Sequence, residues 1–171
     1  MRRPYYPWSL AALLRGRPTL GGLLELCDEN YGLLLRLAPE LPRLRGHHCT
    51  RAEDGVALHL EIQAQTPYTS LLRLTHRFQE GVQEVDDPAA GLRVYHDARQ
   101  LEVLELRQQA LPLIGQPYGS ALQRKWRLNL FLSKWLGYCL RQGYYFGQHS
   151  QCPSASDQPA AANRRPLLVD G

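Results

Sequence analysis

The hydrophobic period of this chain changes twice, and that change limits its possible folds more than any single motif. Between residues 20 and 38, apolar side chains recur at steps of three and four, which predicts one face of an amphipathic helix. Between residues 56 and 107, apolar and polar residues alternate, as they do in half-buried strands. The helical period returns between residues 122 and 139. The pattern predicts a helix, then a sheet, then a second helix.

The short connections between the alternating segments favour antiparallel pairing with one face in water. We therefore predict an α+β fold: an antiparallel sheet of four to five strands, with N- and C-terminal helices packed on one face. Ser120 and Gln123 predict a capping box at the start of the second helix, and Gly143 predicts its end. Residues 40–54 are interpreted as a connection or a ragged first strand. Residues 79–91, "QEGVQEVDDPAAG", are interpreted as a long loop.

Composition divides the chain into three parts. Residues 1–18 contain four arginines and no acidic residue, which accounts for the whole formal net charge of +4, so they form a basic N-terminal arm. Residues 19–147 are predicted to form a single α+β domain. Residues 148–171 are rich in Ser, Ala, Pro and Gln and poor in apolar residues, which predicts a disordered tail.

Cysteine usage and hydropathy predict a cytoplasmic location. The four cysteines form no C-x-x-C pair, and two of them fall on apolar helical faces, where a free thiol behaves as a small apolar group. Free thiols are typical of a reducing compartment. No run of 18 apolar residues occurs, so no membrane span is predicted. The cysteines are Cys27, Cys49, Cys139 and Cys152.

The tripeptide Tyr95-His96-Asp97 is the first candidate for chemistry. Alternation along a strand places His96 on the apolar side and Tyr95 and Asp97 on the other, so His96 and Asp97 cannot form a catalytic contact with each other. In one interpretation Asp97 is a turn residue and His96 is a buried histidine bonded to a backbone acceptor. In the other, the tripeptide contacts a ligand at the end of the strand.

Three arginines form the second candidate. Arg73, Arg77 and Arg93 are expected to share the polar face of the sheet with Tyr95 and Thr75, where they could bind a phosphate or an acidic peptide. The alternative is an ordinary solvated face on which the arginines pair with glutamates across the strands. The candidate ligand contacts are therefore Tyr95, His96, Asp97, Arg73, Arg77 and Arg93.

No metal site and no cofactor are predicted. His47, His48 and Cys49 are adjacent, and Cys27 could supply a fourth ligand, but the spacing does not match the paired ligands of structural zinc sites. The chain contains neither a phosphate-binding glycine motif nor the G-x-S-x-G motif of a nucleophilic serine.

Three blocks of the sequence resemble a known family. "LCDENYGLLLRLAPEL", "RVYHDARQLEV" and "LNLFLSKWLGYCLRQG" are similar, in order and spacing, to blocks of the proteobacterial YqiB-like family, a domain of unknown function. The resemblance covers residues 20–145 and implies one compact cytoplasmic domain. The family has no established reaction, so the resemblance supplies no catalytic residues.

These observations favour a non-enzymatic binding or adaptor module, because no nucleophile, base and stabilising group occur together in the sequence. The alternative is a small hydrolase or ligand-sensing enzyme with a pocket near His96 and Asp97, so the sequence leaves catalysis open. A weaker alternative is nucleic-acid contact through the arginine-rich arm. The expected partner is a protein or a small anionic ligand rather than a nucleic acid.

Overall fold

The alternating segments form one antiparallel sheet of five strands in the order β1-β2-β3-β4-β5. In the sequence, one long helix precedes the strands and another follows them. The structure is a computed structural model that describes residues 18–53, 56–108, 119–148 and 150. The predicted α+β fold is confirmed. The elements are α1 (Leu20–Leu37), a short 3₁₀ helix (Leu41–Arg43), β1 (Gly46–Arg51), β2 (Ala57–Gln65), β3 (Thr69–Glu80), β4 (Gln83–Tyr95), β5 (Gln100–Arg107) and α2 (Ala121–Arg141).

The described residues include only part of the two predicted terminal segments. Of the basic arm, residues 1–17 lie outside the described residues. Of the tail, residues 149 and 151–171 lie outside them as well.

Local hydrogen bonds set the ends of both helices. The Thr19 hydroxyl caps α1 by accepting from the Gly22 N–H at 3.1 Å. The capping box of Ser120 and Gln123 is present at the start of α2, as predicted. Gly143 ends α2 with a φ of 82°, a left-handed conformation that glycine adopts without strain. Among the described residues, no helix is long and apolar enough to cross a membrane.

Both helices pack against one face of the sheet, called here the inner face. Leucines and valines of α1, α2 and the strands join there in a single core, because the apolar positions of both periods point into the same layer. At the N-terminal end of α1 the two helices approach closely: a Cβ on Gly22 would lie 2.8 Å from Trp126 Cη2. The fully buried leucines and valine of the sheet are Leu58, Leu60, Leu72, Leu74, Leu92, Val94 and Leu101.

The prediction of a long loop at residues 79–91 is wrong. β3 and β4 form one long hairpin, in which Glu80 pairs with Gln83 and only Gly81 and Val82 turn the chain. Gly81 has a φ of 63°, which a two-residue hairpin turn requires at this position. Backbone pairing outweighs the polar composition of this segment, so the acidic side chains of residues 84–87 lie on a strand.

The segment after α2 covers the core at the edge of the sheet. The Phe146 N–H donates to the Leu37 carbonyl at 2.8 Å, and the Cys49 N–H donates to the Ser150 carbonyl at 2.7 Å. The chain thus returns from α2 to the C-terminal end of α1 and then to the edge strand β1. Residues 46–51, left open as a ragged strand by the sequence, are that ordered edge strand.

Candidate functional site

The polar candidates lie on the face of the sheet opposite the helices, called here the outer face. Strand pairing orders this face into rows that cross the strands. Small residues occupy positions in each row, so the longer neighbouring side chains can lie over the sheet. Three adjacent rows are Arg51–Ala57–Arg77–Asp86, Cys49–His59–Thr75–Ala89 and His47–Glu61–Arg73–Gly91.

Two of the candidate arginines share one carboxylate. Arg77 Nε donates to Asp86 Oδ1 at 2.9 Å, and Arg73 Nη2 lies 3.8 Å from Asp86 Oδ2. Arg77 Nη1 also lies 3.6 Å from Glu84 Oε2. The hydrogen bond from Arg77 holds the pKa of Asp86 below its usual value. These contacts orient both guanidinium groups on the outer face.

Arg93 and Tyr95 continue this face toward the end of β4. Arg93 Nη1 donates to the Tyr95 hydroxyl at 3.4 Å, and Arg93 pairs in register with Glu102 of β5. Glu102 in turn accepts from Lys125 Nζ at 2.7 Å. Four of the six sequence candidates, Arg73, Arg77, Arg93 and Tyr95, therefore lie on the outer face.

His96 lies apart from these four residues. It follows the end of β4, and its Nε2 lies 2.8 Å from Ser70 Oγ on the inner side of the sheet. Its ring meets Tyr31 of α1 edge to face, with centroids 6.5 Å apart. Burial lowers the pKa of His96. Because Ser70 is fully buried, this serine–histidine pair offers no accessible nucleophile for the hydrolase hypothesis.

Asp97 occupies the turn between β4 and β5. It is exposed, and its Oδ1 accepts from the Ala98 N–H at 2.9 Å. Arg99, two residues later, has a φ of 54°. The contacts of Asp97 are those of a turn residue, which was the first of its two interpretations.

A histidine pair on β1 and β2 is a feature that the sequence did not indicate. His47 Nε2 lies 2.9 Å from His59 Nδ1, and the ring centroids are 5.0 Å apart. Burial, followed by the nearby charge of Arg77, lowers the pKa of His59 to about 4. His59 is therefore neutral at pH 7. Among the described residues no three His, Cys, Asp or Glu side chains are grouped to hold a metal ion.

The lowered pKa of His59 predicts a loss of stability in mild acid. The unfolded chain binds a proton at His59 near pH 6.5, whereas the folded chain does so only near pH 4. The free energy of unfolding should therefore fall as the pH drops from 6.5 to 4. We expect a contribution of about 1–2 kcal/mol, reduced by solvent screening of this half-buried group.

Urea unfolding at pH 7.0 and 4.5 measures this contribution. The His59→Gln variant should lose about 1–2 kcal/mol less than the original chain between these two pH values. An equal loss in both proteins would show that His59 does not titrate differently on folding.

A cavity of about 350 Å³ lies beside His59 and is lined by residues of both faces of the sheet, with Arg77 from the outer face and Phe78 from the inner face. It lies over Ala57, whose row places Arg51 on one side and Arg77 on the other. Two arginines and one carboxylate are therefore among its lining residues. The lining residues that matter here are Arg51, Ala57, His59, Arg77 and Glu84.

Thr75 carries a buried hydroxyl without a hydrogen-bond partner among the described residues. Its side chain lies on the outer face between Arg73 and Arg77, and Thr75 is only 3% exposed. A buried polar group left without a partner costs about 1–3 kcal/mol. No described residue uses the donor and acceptor capacity of this hydroxyl.

The sequence missed several residues of this site for identifiable reasons. Asp86 and Glu84 were assigned to a solvated loop, although glycine at a two-residue turn between alternating segments is a hairpin signal. Arg51 lay in a segment without a clear period. Thr75 was expected on the polar face with the arginines, but its neighbours across the strands, like those of His59, depend on strand register, which alternation alone does not specify.

Comparisons with known proteins agree with this description and add no reaction. The family described as "Protein of unknown function (DUF1249)" matches residues 33–145. The uncharacterised protein YqiB of Escherichia coli strain K12 is 29% identical over 135 residues, which cover 75% of this chain and 94% of that protein. YqiB from strains O6:H1 and O157:H7 gives the same figures. No solved structure matches the chain.

Proposed function

This chain belongs to the DUF1249 family of proteins of unknown function, and from that premise we propose that it is a non-enzymatic binding module. It binds an anionic group on the outer face of its sheet. The ligand contacts come from Arg73, Arg77, Arg93 and Tyr95, while His96 and Asp97 support the strand end. Its three described free cysteines favour action in the cytoplasm.

The observation that carries this proposal is the common placement of the arginines. Arg73 and Arg77 lie two residues apart on β3, and Arg93 lies on the neighbouring strand, so all three guanidinium groups point away from the helices. Their side chains are only partly exposed, and Asp86 orients two of them. A guanidinium that is already ordered loses less conformational entropy when it binds an oxyanion.

The alternative of a hydrolase lacks a comparable observation. Ser70, which contacts His96, is fully buried and therefore inaccessible to a substrate. The Asp97 carboxylate accepts a hydrogen bond from Ala98 within the turn. A ligand on the outer face needs no nucleophile, and forked contacts from arginine suit carboxylate and phosphate oxygens.

Anion titration of the full chain tests the proposal. The ¹H–¹⁵N spectrum should shift on addition of inorganic phosphate or a glutamate-rich peptide, and the shifts should cluster on β3 and β4. The charge-reversing variant R73E/R93E should bind about 10-fold more weakly or worse, because two charged hydrogen-bond donors become repulsive carboxylates.

The matched control is R124E/R127E, which changes the net charge equally at exposed positions of α2. It should bind as the original chain does, apart from a small long-range effect that salt screens. Failure of the original chain to bind any of these anions would refute the proposed function.

A further inference from the structure

In the row Arg51–Ala57–Arg77–Asp86, two arginines suited to binding an oxyanion flank Ala57. One of them, Arg77, already contacts a carboxylate of the protein itself. Ala57 is small and 4% exposed, so it leaves a floor between two guanidinium groups. The cavity of about 350 Å³ lies over this floor. It is large enough for a small anion and part of the molecule that carries it.

Two carboxylates of β4 occupy the position that a ligand would take at Arg77. Asp86 accepts from Arg77 Nε at 2.9 Å, and Glu84 approaches Arg77 Nη1 at 3.6 Å. The Glu84 side chain is 60% exposed, so its contact is held weakly and can be exchanged. An incoming oxyanion has to compete with these internal carboxylates.

Thr75 supplies an independent observation at the next row. Its hydroxyl is buried, has no hydrogen-bond partner among the described residues, and lies between Arg73 and Arg77 on the same strand. His59, its neighbour in register, is at the rim of the cavity. Thr75 itself is not among the lining residues of the cavity; it lies one row from Arg77 on the same face of the sheet.

We infer that the cavity between Arg51 and Arg77 binds a phosphate or carboxylate group, with Thr75 as a further donor and Asp86 and Glu84 as built-in competitors. This inference rests on the proposed function: it places a bound anion at the Arg77 end of the outer face and names the chemical class of that anion. Because the internal carboxylates each carry a single negative charge, a dianion competes with them better than a monoanion does. Phosphate should therefore bind more tightly than acetate.

The experiment measures the affinity of the full chain for inorganic phosphate, acetate and a phosphoserine peptide by ¹H–¹⁵N titration. The R51E/R77E variant should lose phosphate affinity by about 10-fold or more. D86N should gain affinity by about 3-fold or more, because its amide oxygen still accepts from Arg77 Nε and orients the guanidinium but no longer carries the competing negative charge. T75V keeps the shape of the side chain and should lose phosphate affinity by about 3–10-fold.

Tighter binding of the peptide than of phosphate would identify a phosphorylated chain as the source of the group.

The variants separate this inference from the broader proposal. If R51E/R77E or T75V binds phosphate as tightly as the unmodified chain while R73E/R93E binds it more weakly, the cavity is not the binding site. The proposal that the outer face binds anions would still stand. Weaker binding by D86N would overturn the role of Asp86 as a competitor. If R51E/R77E does not fold, T75V and D86N decide the question, and R124E/R127E remains the control for net charge.

Discussion

Replacing Phe146 by alanine is expected to lower the free energy of unfolding by about 3–5 kcal/mol. Phe146 is fully buried and is among the largest fully buried side chains of the described residues. Its backbone N–H also donates to Leu37 at the C-terminal end of α1. Truncation leaves a cavity at the point where the chain after α2 closes against α1, so the loss should be close to that of a central core residue.

Urea unfolding measures the effect, and the adjacent Tyr145 provides the control. Tyr145 is 53% exposed, so Tyr145→Ala should change the free energy of unfolding by no more than about 0.5 kcal/mol. A loss below about 1 kcal/mol for Phe146→Ala would show that the segment after α2 is not part of the core.

Replacing Trp135 by alanine is expected to cost a similar amount, about 3–5 kcal/mol, for two reasons. The indole is 5% exposed and packs against Phe131 and His76, with ring centroids 6.1 and 5.6 Å away. Its Nε1–H also donates to His76 Nδ1 at 3.0 Å, a hydrogen bond that joins α2 to β3 inside the core. Alanine removes both the packing and the donor.

The Trp135→Phe variant separates these two contributions. Phenylalanine keeps most of the aromatic contact but removes the N–H, so the expected loss is about 1–3 kcal/mol. Lys134→Ala, at the exposed neighbouring position, should change stability by at most about 0.5 kcal/mol. Equal stability of Trp135→Phe and the original chain would mean that the hydrogen bond to His76 adds nothing to folding.

Much of the architecture could be predicted because it follows from local periodicity. Alternation placed Leu72, Leu74, His76 and Phe78 on one side of β3. The structure buries the first three and leaves Phe78 40% exposed near the end of the hairpin. The helix caps at Ser120 and Gly143 could also be predicted, because their hydrogen bonds connect residues only a few positions apart. The β3–β4 hairpin was missed because acidic residues on its outer face resemble a loop in composition.

The candidate site was only partly predictable. Alternation placed Arg73, Arg77 and Arg93 on the polar side, but it could not show that Asp86 lies between two of them. That contact requires the register of β3 with β4, which shifts by an irregularity between Thr75 and Arg77. The contact between His47 of β1 and His59 of β2 likewise depends on strand register, in this case that of β1 with β2.

The amino-acid sequence by itself determined the two helices, the regular parts of β2 to β5 and the side of the sheet on which the candidate arginines lie, because these depend on spacing along the chain. Only the tertiary structure decided which residues meet across the outer face, that Ser70 closes against His96, and that Phe146 completes the core. Those contacts join residues 9 positions apart, as for Arg77 and Asp86, or 26 apart, as for Ser70 and His96. They depend on strand register and on the return of the chain after α2, which no local pattern encodes.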